Sequence, residues 1–545
     1  MVRAMGGRVR RHGRVSVLAL LVGLALPGTA AAATVAVGDG ALTVTAAPGE
    51  RNDLLLEPQG ELVRVTDAAT PPVARDGCAA APDTPLAVVC AAAPVEVVRV
   101  EAGDGDDRLV TRVARPTLLS GGPGDDELTG GAGPERLVGG PGRDTVRYDD
   151  GRHDDGVAVT LGGGEDDGRL GEQDDVREVE VVVGGAGDDL VRGTDADETV
   201  IGGGGDDVVD LGAGADRFDG GPGDDACLLG GPGPDVCDGG AGDGDVARHL
   251  GSVPMVLSLD GRANDGPRGA ATGNLLGIEE LIGGEGPDLL VGSDGADRLS
   301  GRGGDDVLRG GGGDDVLLGD RGDDTVEGGA GVDRVAYASI FVGGPVRVTL
   351  DKIADDGESG ERDRIGRDVE IVEGTATAAD LLAGGITPVT LRGLGGEDRL
   401  VGGTARDVLD GGDGDDRISA LDGVRDVLDC GPGLDQVVVD PVDDLRGCEV
   451  RGRQLPVLRV TRRTAPSRLR VRCPRAYRAP VRPYARRCRG VVTVRRAGRI
   501  VLRRRLDVPS GRGRNLRGPA LRGGDLARWH LDGVRPPVAV ARLAP

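Results

Sequence analysis

The sequence predicts an all-β chain, folded as a right-handed parallel β-roll with small β domains at both ends. Three observations carry that expectation. The chain has 545 residues with 100 Gly and only seven aromatics, two Phe, four Tyr and one Trp, which leaves little material for a broad aromatic core. Glycine and aspartate recur with a nine-residue period. Each period contains one aliphatic residue at a fixed place, so the apolar content suits a narrow interior built by stacking rather than a disordered tract.

The period is clearest from Gly283, where six nonapeptides follow without insertion: GGEGPDLLV, GSDGADRLS, GRGGDDVLR, GGGGDDVLL, GDRGDDTVE and GGAGVDRVA. Position one is Gly throughout. Position six is Asp (Asp288, Asp297, Asp306, Asp315, Asp324, Asp333) and position eight is aliphatic (Leu290, Leu299, Leu308, Leu317, Val326, Val335). Glycines at positions one, two and four are expected to permit the positive φ of a tight turn and to leave carbonyls uncovered. The three residues around position eight read as a short strand. Successive nonapeptides would then place their aliphatic residues on opposite walls of one interior, with two nonapeptides making one coil.

In chain order, residues 1–33 place several Arg before an apolar run of about a dozen residues and end in small residues, the pattern of a cleaved signal peptide. Arg10 and Arg11 alone do not specify twin-arginine export, so general secretion is expected. Residues 34–101 alternate as strands and read as an N-terminal β cap. Repeat block one covers 102–147, block two 184–243, block three 283–336 and block four 393–450. Between them lie spacers at 148–183, 244–282 and 337–392, which resemble one another: a strand-like run (VAVTL, MVLSL, VRVTL), an acidic turn and an apolar-acid segment (VEVV, IEEL, VEIV). These are expected to continue the solenoid with longer loops. Residues 451–545 hold 27 Arg and three Asp, a net +24 that leaves −49 on the preceding chain from a total of −25, and they read as a separate basic β domain. Eight cysteines in an exported chain favour disulfides. Their order suggests Cys78 with Cys90, Cys227 with Cys237 inside the roll, Cys430 with Cys448, and Cys473 with Cys488.

Electrostatics decides what such a roll needs. Stacked coils lie about 4.8 Å apart, so ionised position-six carboxylates above one another repel by about 3 kcal/mol at an effective dielectric near 20. A cation between coils reverses that sign, and carboxylates with uncovered carbonyls are the hard oxygen ligands that suit Ca2+. Here the sequence resembles the hemolysin-type, or RTX, calcium-binding nonapeptide repeats, with the pattern G-G-x-G-x-D-x-U-x. The resemblance implies a parallel β-roll with multiple Ca2+ ions held between turns by position-six Asp and turn carbonyls. Its implied ligands are Asp288, Asp297, Asp306, Asp315, Asp324 and Asp333, with Asp107, Asp126 and Asp144 in block one. Asp189, Asp207, Asp216, Asp225 and Asp235 follow in block two, and Asp398, Asp407 and Asp416 in block four. Glu135 and Glu198 stand where Asp is expected and are left out of the set. The second acid at position five (Asp125, Asp206, Asp314 and their equivalents) is expected to be solvated, and Asp260, Asp265, Asp351 and Asp356 in the spacers to cap turns.

Composition also narrows function. The four His form no H-E-x-x-H, no G-x-S-x-G occurs, and the Gly runs are the repeat itself rather than a phosphate loop. Periodic carboxylates are scaffolding rather than one catalytic pair, so the expectation is a non-enzymatic, secreted or cell-surface calcium-binding protein with a structural or adhesive role. The alternative is the accessory portion of a secreted hydrolase whose catalytic module escapes recognition. For the basic domain, binding of an anionic cell-envelope polymer and a merely solvated or docked arginine surface both stand open. Nucleic acid is not an expected partner, because the acidic body would repel it, and no membrane span is expected, since no run approaches the roughly 18 apolar residues required.

Overall fold

The computed structural model describes residues 32–448 except 94, 152–154, 165–166, 170, 338–343 and 441, together with the backbone of strands between Val457 and Arg542. The leader at 1–33 lies outside the described residues apart from its last two. Cys473 and the side chain of Cys488 lie outside them as well. The chain divides into two compact bodies, residues 1–313 and 314–545. No helix occurs among the described residues.

In the first body the N-terminal hairpins start the roll rather than standing apart from it. Thr34–Gly38 and Ala41–Thr45 pair antiparallel across Asp39 and Gly40, both at positive φ, the tight turn whose twist matches the strands. Ala41–Thr45 then runs parallel to Val97–Glu101, which pairs with Thr117–Ser120, Glu135–Val138 and Asp175–Arg177 in turn. Asp53–Gln59 opens the facing wall, parallel to Arg108–Thr111 and then Glu127–Thr129, Thr145–Arg147, Val181–Val183 and Thr199–Ile201. Cys78 and Cys90 are register partners joined by a disulfide in this cap.

Each spacer is one lengthened coil that opens a new row of strands. Val157–Thr160 pairs with Leu190–Arg192, and Met255–Ser258 with Leu289–Val291; in the second body Val346–Thr349 pairs likewise with Leu381–Ala383. A short antiparallel partner flanks each of the three, Gly168–Arg169, Gly266–Pro267 and Gly357–Glu358. The second body continues in parallel steps through Leu381–Ala383, Arg399–Val401, Arg417–Ala420 and Gln436–Val439. Residues 457–542 instead form antiparallel strands, with Arg487–Arg496 lying between Arg499–Pro509 and Leu526–Leu531. The fold is therefore a parallel β-roll with antiparallel β structure at both ends.

The interior is a column of position-eight side chains. Leu109, Leu128, Val209, Phe218, Leu290 and Leu308 in the first body, and Leu317, Leu400 and Leu409 in the second, are all fully buried. Cys227 and Cys237, also at position eight and fully buried, join strands Ala226–Leu229 and Val236–Ala241 through a disulfide. Cys430 and Cys448 are bonded as well.

Candidate metal centre

Every implied ligand occupies one structural place, the residue that ends the turn and enters the strand. All seventeen, from Asp107 to Asp416, are buried, with 7 % exposure or less. The strand that follows turns position eight inward, and the carboxylate is packed under the turn of its own nonapeptide.

A ladder of hydrogen bonds fixes one oxygen of most of these carboxylates, with Asn52, Val157, Met255 and Val389 as the donors to Asp107, Asp189, Asp288 and Asp407. The backbone N–H of a position-six residue donates to Oδ1 of the position-six residue one coil later. Asp126 N bonds Asp144 Oδ1 at 2.8 Å, Asp189 N bonds Asp207 and Asp207 N bonds Asp225 at 2.8 Å, and Asp216 N bonds Asp235 at 3.1 Å. The same step links Asp288 to Asp306, Asp315 to Asp333, and Asp398 to Asp416 at 2.7 to 3.1 Å. Position five builds a parallel, exposed row in the opposite sense: Asp206 N donates to Asp188 Oδ1 and Asp224 N to Asp206 Oδ1. This row lies in solvent, apart from the buried carboxylates.

The second oxygen separates the nonapeptides into two kinds. Oδ2 of Asp107, Asp126, Asp144, Asp207, Asp216, Asp225, Asp333, Asp398 and Asp416 is buried and accepts no hydrogen bond. In these nonapeptides the position-two residue has positive φ, from Gly103 and Gly122 to Leu394 and Gly412. Its N–H is turned along the roll, as where Gly203 N donates to Gly220 O at 2.9 Å. Asp189, Asp288, Asp297 and Asp407 behave differently. There the position-two N–H points inward and donates to Oδ2: Gly185 to Asp189 at 2.7 Å, Gly284 to Asp288 at 2.7 Å, Ser293 to Asp297 and Gly403 to Asp407 at 2.6 Å. Of these capped nonapeptides, that of Asp189 opens block two and that of Asp288 opens block three, followed there by that of Asp297, while that of Asp407 is the second of block four, behind the uncovered Asp398.

Position-one glycine answers a steric demand rather than a conformational one, which corrects the expectation of positive φ there. Gly202, Gly220 and Gly283 lie outside the positive-φ set. A methyl group at Gly283 would fall 2.7 Å from Asp288 Oδ2 and 2.7 Å from Gly301 O; at Gly202 it would collide with Asp207 Oδ2 and lie 2.9 Å from Gly220 O. A carboxylate oxygen and a carbonyl of the next coil thus converge where a side chain would be.

Burial sets the charge state of this row. Desolvation first, and neighbouring carboxylates second to the backbone hydrogen bonds that oppose it, push Asp126, Asp207 and Asp398 up to about 7 and Asp144 and Asp225 up to about 6. Buried anionic oxygens without donors, beside uncovered carbonyls, are a hard-cation ligand set. Among the described residues no three acidic, His or Cys side chains converge on one point, so carbonyls must complete any coordination shell. The residues present fit Ca2+ on those terms.

Acids outside the nonapeptide frame join the ladder. Asp380 N donates to Asp398 Oδ1 at 2.8 Å, and Asp225 N to Asp245 Oδ1 at 2.7 Å. At the spacers the receiving oxygen belongs to Asp174 (from Glu135 N), Glu180 (Asp144 N), Glu279 (Asp245 N), Asp363 (Asp324 N) and Glu370 (Asp333 N). Asp265 and Asp356 brace their spacers, each accepting backbone N–H groups on both oxygens: Ser258 and Leu275 for Asp265, Thr349 and Ile365 for Asp356. Asp260 and Asp351 cap exposed turns through Arg262 N and Ile353 N.

The division between inner and outer rows gives a direct test. Asp207→Asn keeps an Oδ1 acceptor for Asp189 N but removes a buried charge. It is expected to raise the melting temperature of calcium-free protein, by relief of an unsatisfied group worth about 1 to 3 kcal/mol, and to lower that of calcium-saturated protein. Asp206→Asn, in the exposed row, is expected to leave both melting temperatures nearly unchanged, a stability effect of less than about 0.5 kcal/mol. Paired calorimetric scans with chelator and with calcium check both.

A family model, RTX calcium-binding nonapeptide repeat, matches residues 118–152, 179–208, 192–226, 276–308, 300–335 and 392–424. No curated protein matches the chain.

Proposed function

Because the chain is an RTX-repeat protein, a calcium-binding repeat protein by that membership, we propose that it is secreted, non-enzymatic, and ordered by extracellular calcium for a structural or adhesive role outside the cell. The observation that carries this reading is the file of buried Oδ2 atoms without donors, Asp107, Asp126, Asp144 and onward. A cation lying against those oxygens converts a repulsive column into an attractive one, so binding free energy becomes folding free energy. On this reading the ions lie where Oδ2 is uncovered, and the capped nonapeptides of Asp189, Asp288, Asp297 and Asp407 hold together without them. Export is supported by the leader-like first 33 residues and by the disulfides. Adhesion is supported by the +24 charge of residues 451–545, a match for an anionic envelope polymer.

Circular dichroism of the mature chain during a calcium titration tests the central claim. Strand signal is expected to rise with a midpoint on the order of 10⁻⁴ to 10⁻³ M, the range of extracellular modules; identical spectra in chelator and in excess calcium would refute it. For adhesion, the full chain is expected to sediment with cell envelope and a chain ending at residue 450 to remain in the supernatant. Equal sedimentation would remove the role assigned to the basic region.

A further inference from the structure

We infer that Glu135 and Asp174 form a divalent-cation site of their own, tying the last coil of block one to the first spacer, in which Tyr148 lies against the bound ion. It rests on the reading that this roll takes calcium, but not on the nonapeptide motif, which Glu135 breaks. Glu135 is 2 % exposed and Asp174 1 %. Neither carboxylate oxygen of Glu135 has a well-aligned hydrogen-bond donor, its polar neighbours being the Gly133 N–H and the Asp174 carboxyl, whereas the ordinary position-six Asp has its Oδ1 engaged by the ladder. The extra methylene of Glu135 carries its carboxylate past the usual place beside Gly130 and into a space lined by oxygens. Measured from a methyl group placed at Gly131, Val113 O lies at 3.0 Å, Glu135 Oε1 at 3.4 Å and Thr111 O at 3.5 Å; from one at Gly130, Glu135 Oε2 lies at 3.3 Å and Asp174 Oδ2 at 3.8 Å. Asp174 Oδ1 is occupied by the N–H of Glu135 at 2.9 Å, and its Oδ2 faces the hydroxyl of Tyr148 at 3.5 Å.

Charge counting favours a cation here. Arg169 donates to Tyr148 O, pairs with Asp150 at 3.3 Å and approaches Glu172 at 3.9 Å, and its guanidinium sits 5.7 Å over the Tyr148 ring. Its single charge is answered by those two acids, and among the described residues no ion pair reaches Glu135 or Asp174. Two facing buried carboxylates require something positive between them, a metal ion or a shared proton. Two Glu135 oxygens, Asp174 Oδ2 and the Thr111 and Val113 carbonyls are all oxygen donors, the chemistry of Ca2+ and of the lanthanides that replace it.

Tyr148 makes the site observable, because a terbium ion beside a tyrosine emits when the ring is excited. Tyr337, the other buried tyrosine among the described residues, is removed first. In the Tyr337→Phe protein, ultraviolet-excited Tb3+ emission is expected to exceed that of Tyr148→Phe/Tyr337→Phe; aromatics of residues 451–545 contribute to both and cancel. Glu135→Gln and, separately, Asp174→Asn in the Tyr337→Phe background are expected to abolish that difference, while Asp125→Asn in the exposed row leaves it intact. No Tyr148-dependent emission from the folded Tyr337→Phe protein would overturn the proposal without recourse to further variants, leaving a proton shared by the two carboxyls. Emission that survives both Glu135→Gln and Asp174→Asn would overturn it equally. If calcium orders the chain by circular dichroism while this emission is absent, only this site fails; if calcium orders nothing, the functional reading fails with it.

Discussion

Calcium-free protein is expected to keep its strand signal at about pH 5 and to lose it by about pH 8. Desolvation, with smaller help from neighbouring carboxylates, holds Asp126, Asp207 and Asp398 at about 7 and Asp144, Asp225 and Asp416 at about 6 in the fold. In the unfolded chain the same groups titrate near 3.9. Between those limits the fold binds more protons than the unfolded chain, so stability falls as pH rises. The stabilisation from protons is complete below about pH 4 and gone once pH has passed through 6 to 7. A proton thus substitutes for the metal, neutralising each buried oxygen without bridging two coils. Two measurements check this. Strand signal in decalcified protein should decline with pH between those limits, while calcium-saturated protein stays flat at neutral and alkaline pH. In weak buffer near pH 7, calcium addition should release protons, and more of them at about pH 6.5 than at about pH 8. Calcium-free protein that is most stable at pH 8 would contradict the sign of every shift quoted above.

The second large effect separates two glycines that differ by two positions. Gly202→Ala is expected to destabilise the roll by about 1 to 3 kcal/mol and to weaken calcium binding at that coil, because the new methyl collides with Asp207 Oδ2 and crowds Gly220 O. Gly204→Ala is expected to be nearly neutral or slightly stabilising, since its methyl meets only Pro222 O at an ordinary 3.8 Å and its φ lies outside the left-handed range. Urea unfolding of both variants in saturating calcium reads the contrast. Equal midpoints would mean that the position-one glycines are not fixed by the carboxylate behind them.

The sequence made this contrast only half visible. The prevalence of glycine at position one, broken by Ala102 and Leu211, against Pro, Ala, Asp or Arg at position three, is plain in the repeats. Its cause is not, since deciding between a φ demand and a carboxylate behind the Cα requires the turn itself. The position-eight column and the strands were legible because an aliphatic residue recurs in phase with a fixed strand length. Asp245 and Asp380 were not, because one extra residue in GGAGDGDVA and in GTATAADLLA moves the acid to position seven. The ladder tolerates that slip, taking Asp245 at a separation of 20 residues where 18 is usual. Asp174, Glu180, Glu279, Asp363 and Glu370 were hidden further, since they meet their partners only after the long loops close. The division between capped and uncovered carboxylates left almost no trace, because Gly185 and Gly203 are the same residue in opposite conformations. Of the disulfides ordered from the sequence, three are formed among the described cysteines.

The donor-to-carboxylate step implies a rule about how such a chain can lengthen. The separations are 18 to 20 residues within the blocks and 34 to 39 across the spacers, near one coil and near two. A stretch of two nonapeptides can therefore be copied or lost in the gene and every downstream residue returns to its own wall. Copying a single nonapeptide would send each later strand to the other side, and Cys227 and Cys237 would keep their mutual bond while their neighbours changed places. Inheritance in this protein is counted in pairs: a tandem duplication of 18 codons is nearly silent, and one of nine rewrites everything after it.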